Sequence, residues 1–193
     1  MTTCFIKISF RLLLLYSCLL TGPAIAQTKD AGKKDQPKGK ANILSAGINI
    51  PLGDFSNTHV LGFGAEYFHS NHRFGSMKTK PVKAVGFIYS GGIDYYLGKK
   101  EKVSSYPYKY HGFTLLHGYG GVIYNPCKKG NISLITGPAL GLSNGTAGFW
   151  WGVNLNGQYY FNEKFAIAPG LIFMKQHLAD GIWSATLRGS MTF

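Results

Sequence analysis

Acidic residues are scarce in this chain. Eight Asp and Glu stand against 20 Lys and Arg, which leaves a formal net charge of +12 at pH 7. Cysteine is scarce too, and Cys4 and Cys18 lie in an N-terminal leader, so Cys127 is alone in the mature chain. One thiol cannot build a disulfide, zinc or iron–sulfur framework. No segment carries a helical hydrophobic period, and the leader's apolar run, Leu12 to Leu20, is far below the roughly 18 residues a membrane-crossing helix needs. These absences argue against helical bundles, helical membrane spans and metal-stapled folds. What is abundant is glycine, 26 residues, together with 13 Phe and 12 Tyr, a bias toward strands and turns.

The leader "MTTCFIKISFRLLLLYSCLLTGPAIA" reads as a secretory signal peptide over residues 1–26. Lys7 and Arg11 precede the apolar run, Gly22-Pro23 breaks it, and Ala24-Ile25-Ala26 forms a small-x-small site for cleavage between Ala26 and Gln27. Leu15-Tyr16-Ser17-Cys18 offers a looser lipoprotein-type alternative at Cys18, with Tyr16 out of place for such a motif. Removing Lys7 and Arg11 with the leader lowers the net charge from +12 to +10. Residues 27–42 follow as a short Lys-rich linker: "QTKDAGKKDQPKGKA" holds five lysines and no aromatic, too little apolar surface to fold alone. Its charge reads first as a solvating tail and second as an attraction to anionic lipid or cell-wall polymers; an exported chain is not expected to meet nucleic acid.

From residue 43 to 193 the sequence breaks into eight runs divided by Gly, Pro, Asn, Asp and Lys: 43–52, 58–69, 82–97, 110–124, 131–143, 149–161, 165–176 and 182–193. In "FWWGVNLNGQYYF" the residues Phe149, Trp151, Val153, Leu155, Tyr159 and Phe161 alternate with Trp150, Asn154, Asn156, Gln158 and Tyr160, the period of a strand. The fourth run alternates poorly, with His117 on the parity of Phe113, Leu115 and Tyr119, which points either to a bulge or to a different register there.

Alternation alone does not say which face is inside. A soluble barrel of the lipocalin type hides its apolar face and shows charge to water. Here the face opposite the apolar one carries mostly Gly, Ser, Thr, Asn and Gln, a poor solvent surface but a workable lumen. Glu66, Asp94 and Arg188 all fall on that face, so in a closed barrel they are expected to pair as a buried structural charge cluster. Tyr67, Tyr95, Phe149, Tyr159, Phe161, Phe165 and Phe193 sit near the ends of the apolar faces, as in membrane-interface girdles. The expected fold is therefore all-β, an eight-stranded antiparallel up-and-down transmembrane β-barrel behind a signal peptide and a disordered basic linker.

On these residues the segment 43–193 resembles the small outer-membrane β-barrels of the OmpA and OmpX type in Gram-negative bacteria. "SAGINIPLGDFSNTHVLGFGAEY", "GIDYYLGKK" and "GQYYFNEKFAIAPGLIF" look like strand–turn units of such domains, and the ending with Leu187, Met191 and Phe193 looks like their C-terminal assembly signal. Gly189 interrupts the apolar parity of that ending. The resemblance implies an outer-membrane location, outer-membrane lipid and the barrel assembly machinery as partners, and a structural or surface-interaction role that is porin-like in architecture only.

Chemistry is not expected. "YFHSNHRFG" places His69 and Ser70 on neighbouring residues, hence on opposite faces of a strand, where they share no proton readily. Gly91-Gly92 and Gly120-Gly121 precede no helix and form no phosphate loop. No catalytic, cofactor-binding or metal-binding residues are assigned and no cofactor is implied. A soluble lipocalin-like binder of an apolar ligand and a lipid A modifying barrel enzyme stand as the alternatives.

Overall fold

The computed structural model describes residues 41–71, 85–103, 106–127, 129–176 and 180–193. The leader, its cleavage position at Ala26 and Gln27, and the linker through residue 40 lie outside the described residues. The strands are β1 (Ala41–Leu52), β2 (His59–Ser70), β3 (Val85–Gly98), β4 (Lys100–Val103), β5 (Tyr106–Lys109), β6 (Phe113–Cys127), β7 (Gly130–Ser143), β8 (Thr146–Tyr160), β9 (Phe165–Lys175) and β10 (Ile182–Thr192), and the helical turn α1 (Phe55–Thr58) joins β1 to β2. Eight of the strands close into one antiparallel barrel in the order β1, β10, β9, β8, β7, β6, β3, β2.

Apart from the β4–β5 excursion, neighbours in sequence are neighbours in the wall, and closure is made where β1 meets β10, from Ile43 opposite Thr192 to Leu52 opposite Trp183. Closure leaves no unpaired strand edge, which a barrel surrounded by lipid requires. The β7–β8 connection is a two-residue turn. Asn144 and Gly145 both take positive φ, 48° and 75°, the pair of left-handed residues that a two-residue hairpin turn with right-handed twist demands.

The structure moves one boundary. Ala41 and Asn42, assigned to the linker by composition, belong to β1, opposite Ser70 and His69. The reason is local pairing: the backbone N–H of Phe193 donates to the carbonyl of Asn42 at 3.0 Å, and the Asn42 side-chain carbonyl accepts from Tyr67 Oη at 2.9 Å and lies 2.8 Å from His69 Nδ1.

Alternation then decides what each side chain faces. Leu44, Phe63, Tyr89, Leu134, Leu155, Leu171 and Leu187 point outward and stay exposed, as do all seven aromatics assigned to the girdles. The opposite positions point inward and are buried, and that interior is not uniformly polar, as the residue pattern suggested. Two apolar layers close it: Ile43, Phe68, Ile88, Tyr119, Ile123 and Ile135 toward the end that carries both Ala41 and Thr192, and Phe55, Tyr96, Phe113, Leu115, Trp150, Ile172 and Met174 toward the other. Eight strands enclose a space that side chains fill, so the lumen is packed as a core. Each fully buried Ile or Leu there contributes roughly 1.5–3 kcal/mol over its exposed state.

β6 explains its own poor alternation. It runs without a bulge from Phe113 to Tyr124 in register with β3, and carries apolar residues on both faces: Phe113, Leu115, Tyr119 and Ile123 inside, Leu116, Val122 and Tyr124 outside. Its register shift against β7 comes only after Tyr124.

Candidate functional site

Between the two apolar layers lies a belt of charge. Arg188 on β10 reaches both acids: Nη1 donates to Glu66 Oε2 and Nη2 donates to Asp94 Oδ1 at 2.8 Å. Asn49 on β1 adds a second donor to Asp94 Oδ1 at 2.7 Å. All three ionic side chains are at most 2% exposed. The residues that the sequence places on the lumen face are thus brought together here.

His117 on β6 is the member that sequence reading missed. Its Nε2 lies 3.1 Å from Asp94 Oδ2 and its Nδ1 4.0 Å from Glu66 Oε1, and its ring stacks on Tyr119 with centroids 4.6 Å apart. Its parity with Phe113 and Leu115 was the available signal, since taken literally it puts the ring inside.

The register shows why these groups can meet. β10, β1, β2, β3 and β6 are consecutive around the wall, and the rows of facing residues alternate charge with glycine. Arg188 is opposite Gly47, Gly47 opposite Gly64, and Gly64 opposite Asp94, so the guanidinium arches over two residues without side chains. In the neighbouring row Gly92 separates Glu66 from His117. A Cβ on Gly64 would run into the Asp94 carboxylate, and one on Gly92 would come 2.7 Å from the His117 ring. The glycines are the space that the charges occupy.

Polar pairs continue around the interior. Ser45 and Ser190 are 2.6 Å apart, and Gln158 Oε1 accepts from Asn131 at 2.9 Å and from Tyr160 Oη at 2.8 Å. The mouth away from the chain ends is corked by aromatic rings. Phe55 of α1 inserts edge-on against Tyr96, at 5.0 Å, and Phe113, at 5.9 Å, and Phe113 meets Trp150 at 5.9 Å.

Ser70 is buried inside the barrel while His69 on the outer face lies against Asn42, so the two do not form a nucleophile–base pair. Among the described residues no group of three or more His, Cys, Asp or Glu is placed to hold a metal ion. Cys127 is free and exposed at the end of β6. The cluster of Arg188, Glu66, Asp94 and His117, with Asn49 of β1, is suited to holding five strands together across the lumen. The last strand places Leu187, Met191 and Phe193 on the outer face, with Phe193 6.4 Å from the ring of Tyr67.

No family model matches the sequence, and no curated protein does. Solved structures do match in fold. Ail, the attachment invasion locus protein of Yersinia pestis, in complex with the heparin analogue sucrose octasulfate, superposes with a TM-score of 0.52 at 12% identity, over 79% of this chain and 97% of that one. The same protein in a phospholipid bilayer nanodisc gives 0.52 at 14% identity, over 80% and 100%. The N-terminal β-barrel domain of Pseudomonas aeruginosa OprF gives 0.51 at 13%, over 82% and 100%. The chain has the fold of the small eight-stranded outer-membrane barrels.

Proposed function

We propose that this chain is an integral outer-membrane β-barrel with a non-catalytic role in envelope structure or surface interaction. One observation carries the reading. From Leu44 to Leu52, Leu61 to Tyr67, Val85 to Leu97, Thr114 to Tyr124, Ile132 to Leu142, Ala147 to Tyr159, Phe165 to Phe173 and Trp183 to Met191, the outward positions hold no charged residue. The ionic groups are inside. A soluble barrel arranges them the other way round, and an exposed apolar band on all eight strands far exceeds the few hundred Å² that a soluble monomer tolerates. Even the polar outward residue Thr136 is satisfied within the wall, donating to the Gly152 carbonyl at 2.7 Å and accepting from Trp151 Nε1 at 2.8 Å.

The lipocalin-like alternative loses its support with the apolar face outside. The lipid A modifying alternative loses it with His69 and Ser70 on opposite faces. A leader cut after Ala26 delivers the chain to the periplasm, and the terminal strand with Leu187, Met191 and Phe193 is read by the barrel assembly machinery. Both ends of the barrel segment lie on one rim, which faces the periplasm, so the rim with the β4–β5 hairpin faces outward, where an interacting barrel presents itself. The Ail complex with a heparin analogue, in a protein of the same fold, supports a surface-interaction role.

Membrane fractionation with a gel-mobility assay tests the reading. The protein is expected in the outer-membrane fraction, running as a compact species in detergent and shifting to an unfolded mobility on boiling. Recovery from the soluble periplasm without detergent would contradict it.

A further inference from the structure

One turn of helix seats the aromatic cork, and a histidine lies behind it. Parity alone would turn His59 to the outer face of β2 with Phe63 and Tyr67. A bulge reverses this, because His59 is opposite Gly98 and Gly62 opposite Tyr96, so β2 advances by one residue more than β3. The imidazole therefore lies at the mouth, its centroid 4.3 Å from the ring of Phe55, 6.2 Å from Phe113 and 6.5 Å from Tyr96. Thr58 Oγ1 donates to the Phe55 carbonyl at 3.2 Å and lies 2.8 Å from His59 Nδ1, so the neutral ring fits with its hydrogen on Nδ1 and a bare Nε2. That Nε2 is enclosed without a well-formed hydrogen bond. α1 itself is lightly held. Phe55 is its one buried residue, Asp54 gives its start no side-chain cap, and Gly53 before it takes a φ of 58° with open space around its Cα, the freedom of a hinge.

We propose that α1 is an acid-operated cork: protonation of His59 drives Phe55 out of the mouth and opens the recess lined by Tyr96, Phe113 and Trp150 to water. The cause is the lack of any partner for a charge at that place. The groups around the ring are Phe55 of α1, Thr58 beside it, Tyr96 of β3, Phe113 of β6 and the backbone of His111, and among the described residues no carboxylate pairs with it. His59 is level with Gly98, beyond the outward apolar series that ends at Leu97, so it stands outside the membrane-facing band. Burial holds its imidazole below the ordinary value of 6.5, and a hydrogen bond to the backbone of His111 offsets only part of this. A ring that is harder to protonate behind the seated cork than in water makes acid favour the open form. The seated form thus has its full advantage above pH 6.5 and loses it as pH falls through the seated value. The inner layer around Ile88 and Ile123 still closes the lumen, so acid bares a recess and leaves the barrel shut.

The test is acrylamide quenching of Trp150, whose ring is 5.9 Å from Phe113, in the full mature chain carrying Trp151→Phe/Trp183→Phe and refolded in phosphatidylcholine vesicles. From about pH 7.5 to about pH 5, quenching is expected to rise about twofold or more with His59 present and to stay level in His59→Gln, which is neutral throughout. Phe55→Ala, uncorked at both ends of the range, is expected to quench at the high level throughout. An equal rise with and without His59, or no rise in either, overturns the proposal. His59→Gln leaves His117 in place, so a rise that survives it belongs to the charged belt of the lumen. Loss of the compact, heat-modifiable species at about pH 5 also overturns it, by placing the acid effect in the barrel instead of the cork. A chain that never gives that species refutes the membrane reading itself; a compact chain with level quenching refutes the cork alone.

Discussion

Replacing Arg188 by Met removes the cation that both Glu66 and Asp94 contact while keeping much of the side chain's volume. The two carboxylates are then left buried, since each acid is fully enclosed in the wall. His117, 3.1 Å from Asp94, is the other side chain of the cluster able to carry positive charge. Breaking a buried pair by deleting one partner costs about 3–5 kcal/mol, whereas replacing every charged member by neutral groups of similar shape is close to neutral. With a urea dependence of about 2 kcal/mol per molar, the loss lowers the unfolding midpoint by about 2 M. The assay is urea unfolding of the barrel refolded in lipid vesicles, followed by tryptophan fluorescence and gel mobility. Arg188→Met should show the full drop, and Glu66→Gln/Asp94→Asn/Arg188→Met should recover most of it. An Arg188→Met midpoint equal to the wild type, or a triple variant no better than the single, would refute the account of the lumen as an ion-paired core.

Gly91 and Gly92 are neighbours on opposite faces and make a paired control. Gly92→Ala should cost roughly 1–3 kcal/mol, because its Cβ would meet the Ala65 carbonyl and the His117 ring at 2.7 Å, while Gly91→Ala, whose Cβ finds only the His117 carbonyl at 3.8 Å, should leave the same urea midpoint within error. Phe55→Ala removes the aromatic cork and should cost roughly 3 kcal/mol, yet planar-bilayer conductance should stay at baseline because the layer of Ile43, Phe68, Ile88, Tyr119, Ile123 and Ile135 still closes the lumen. Deleting Phe193, or adding charged residues after it, should reduce the amount of folded barrel in the outer-membrane fraction; normal assembly of both variants would mean that the ending carries no signal.

The wall of the barrel is legible in the sequence because strand alternation is a strict period. All eight wall strands coincide with the runs set off by turn residues, seven of them clearly alternating, and each boundary differs by at most three residues. Glu66, Asp94 and Arg188 were legible for the same reason: each stands among small residues on the inward parity, so closing the sheet brings them to one axis. His117 was hidden by β6, whose two apolar faces erase the contrast that parity needs. The apolar layers of the lumen were hidden likewise, because a face judged polar on average conceals its Ile, Phe and Tyr members. The β4–β5 hairpin was not foreseen, since a segment dense in Lys and Tyr with Pro107 has no apolar stripe and reads as loop. α1 is a single turn, too short for any period to register.

Trp150 and Trp151 allow the central claim to be tested at one depth on two faces: Trp150 is buried in the lumen at 8% exposure, and Trp151 is on the outer wall at 43%. Two single-tryptophan variants, Trp150→Phe/Trp183→Phe and Trp151→Phe/Trp183→Phe, are refolded into vesicles of lipids brominated along their acyl chains. The account predicts strong quenching of Trp151 and little quenching of Trp150. Quenching of Trp150 equal to or greater than that of Trp151, or no quenching of either, would contradict a barrel that turns its apolar face to lipid and its charges inward.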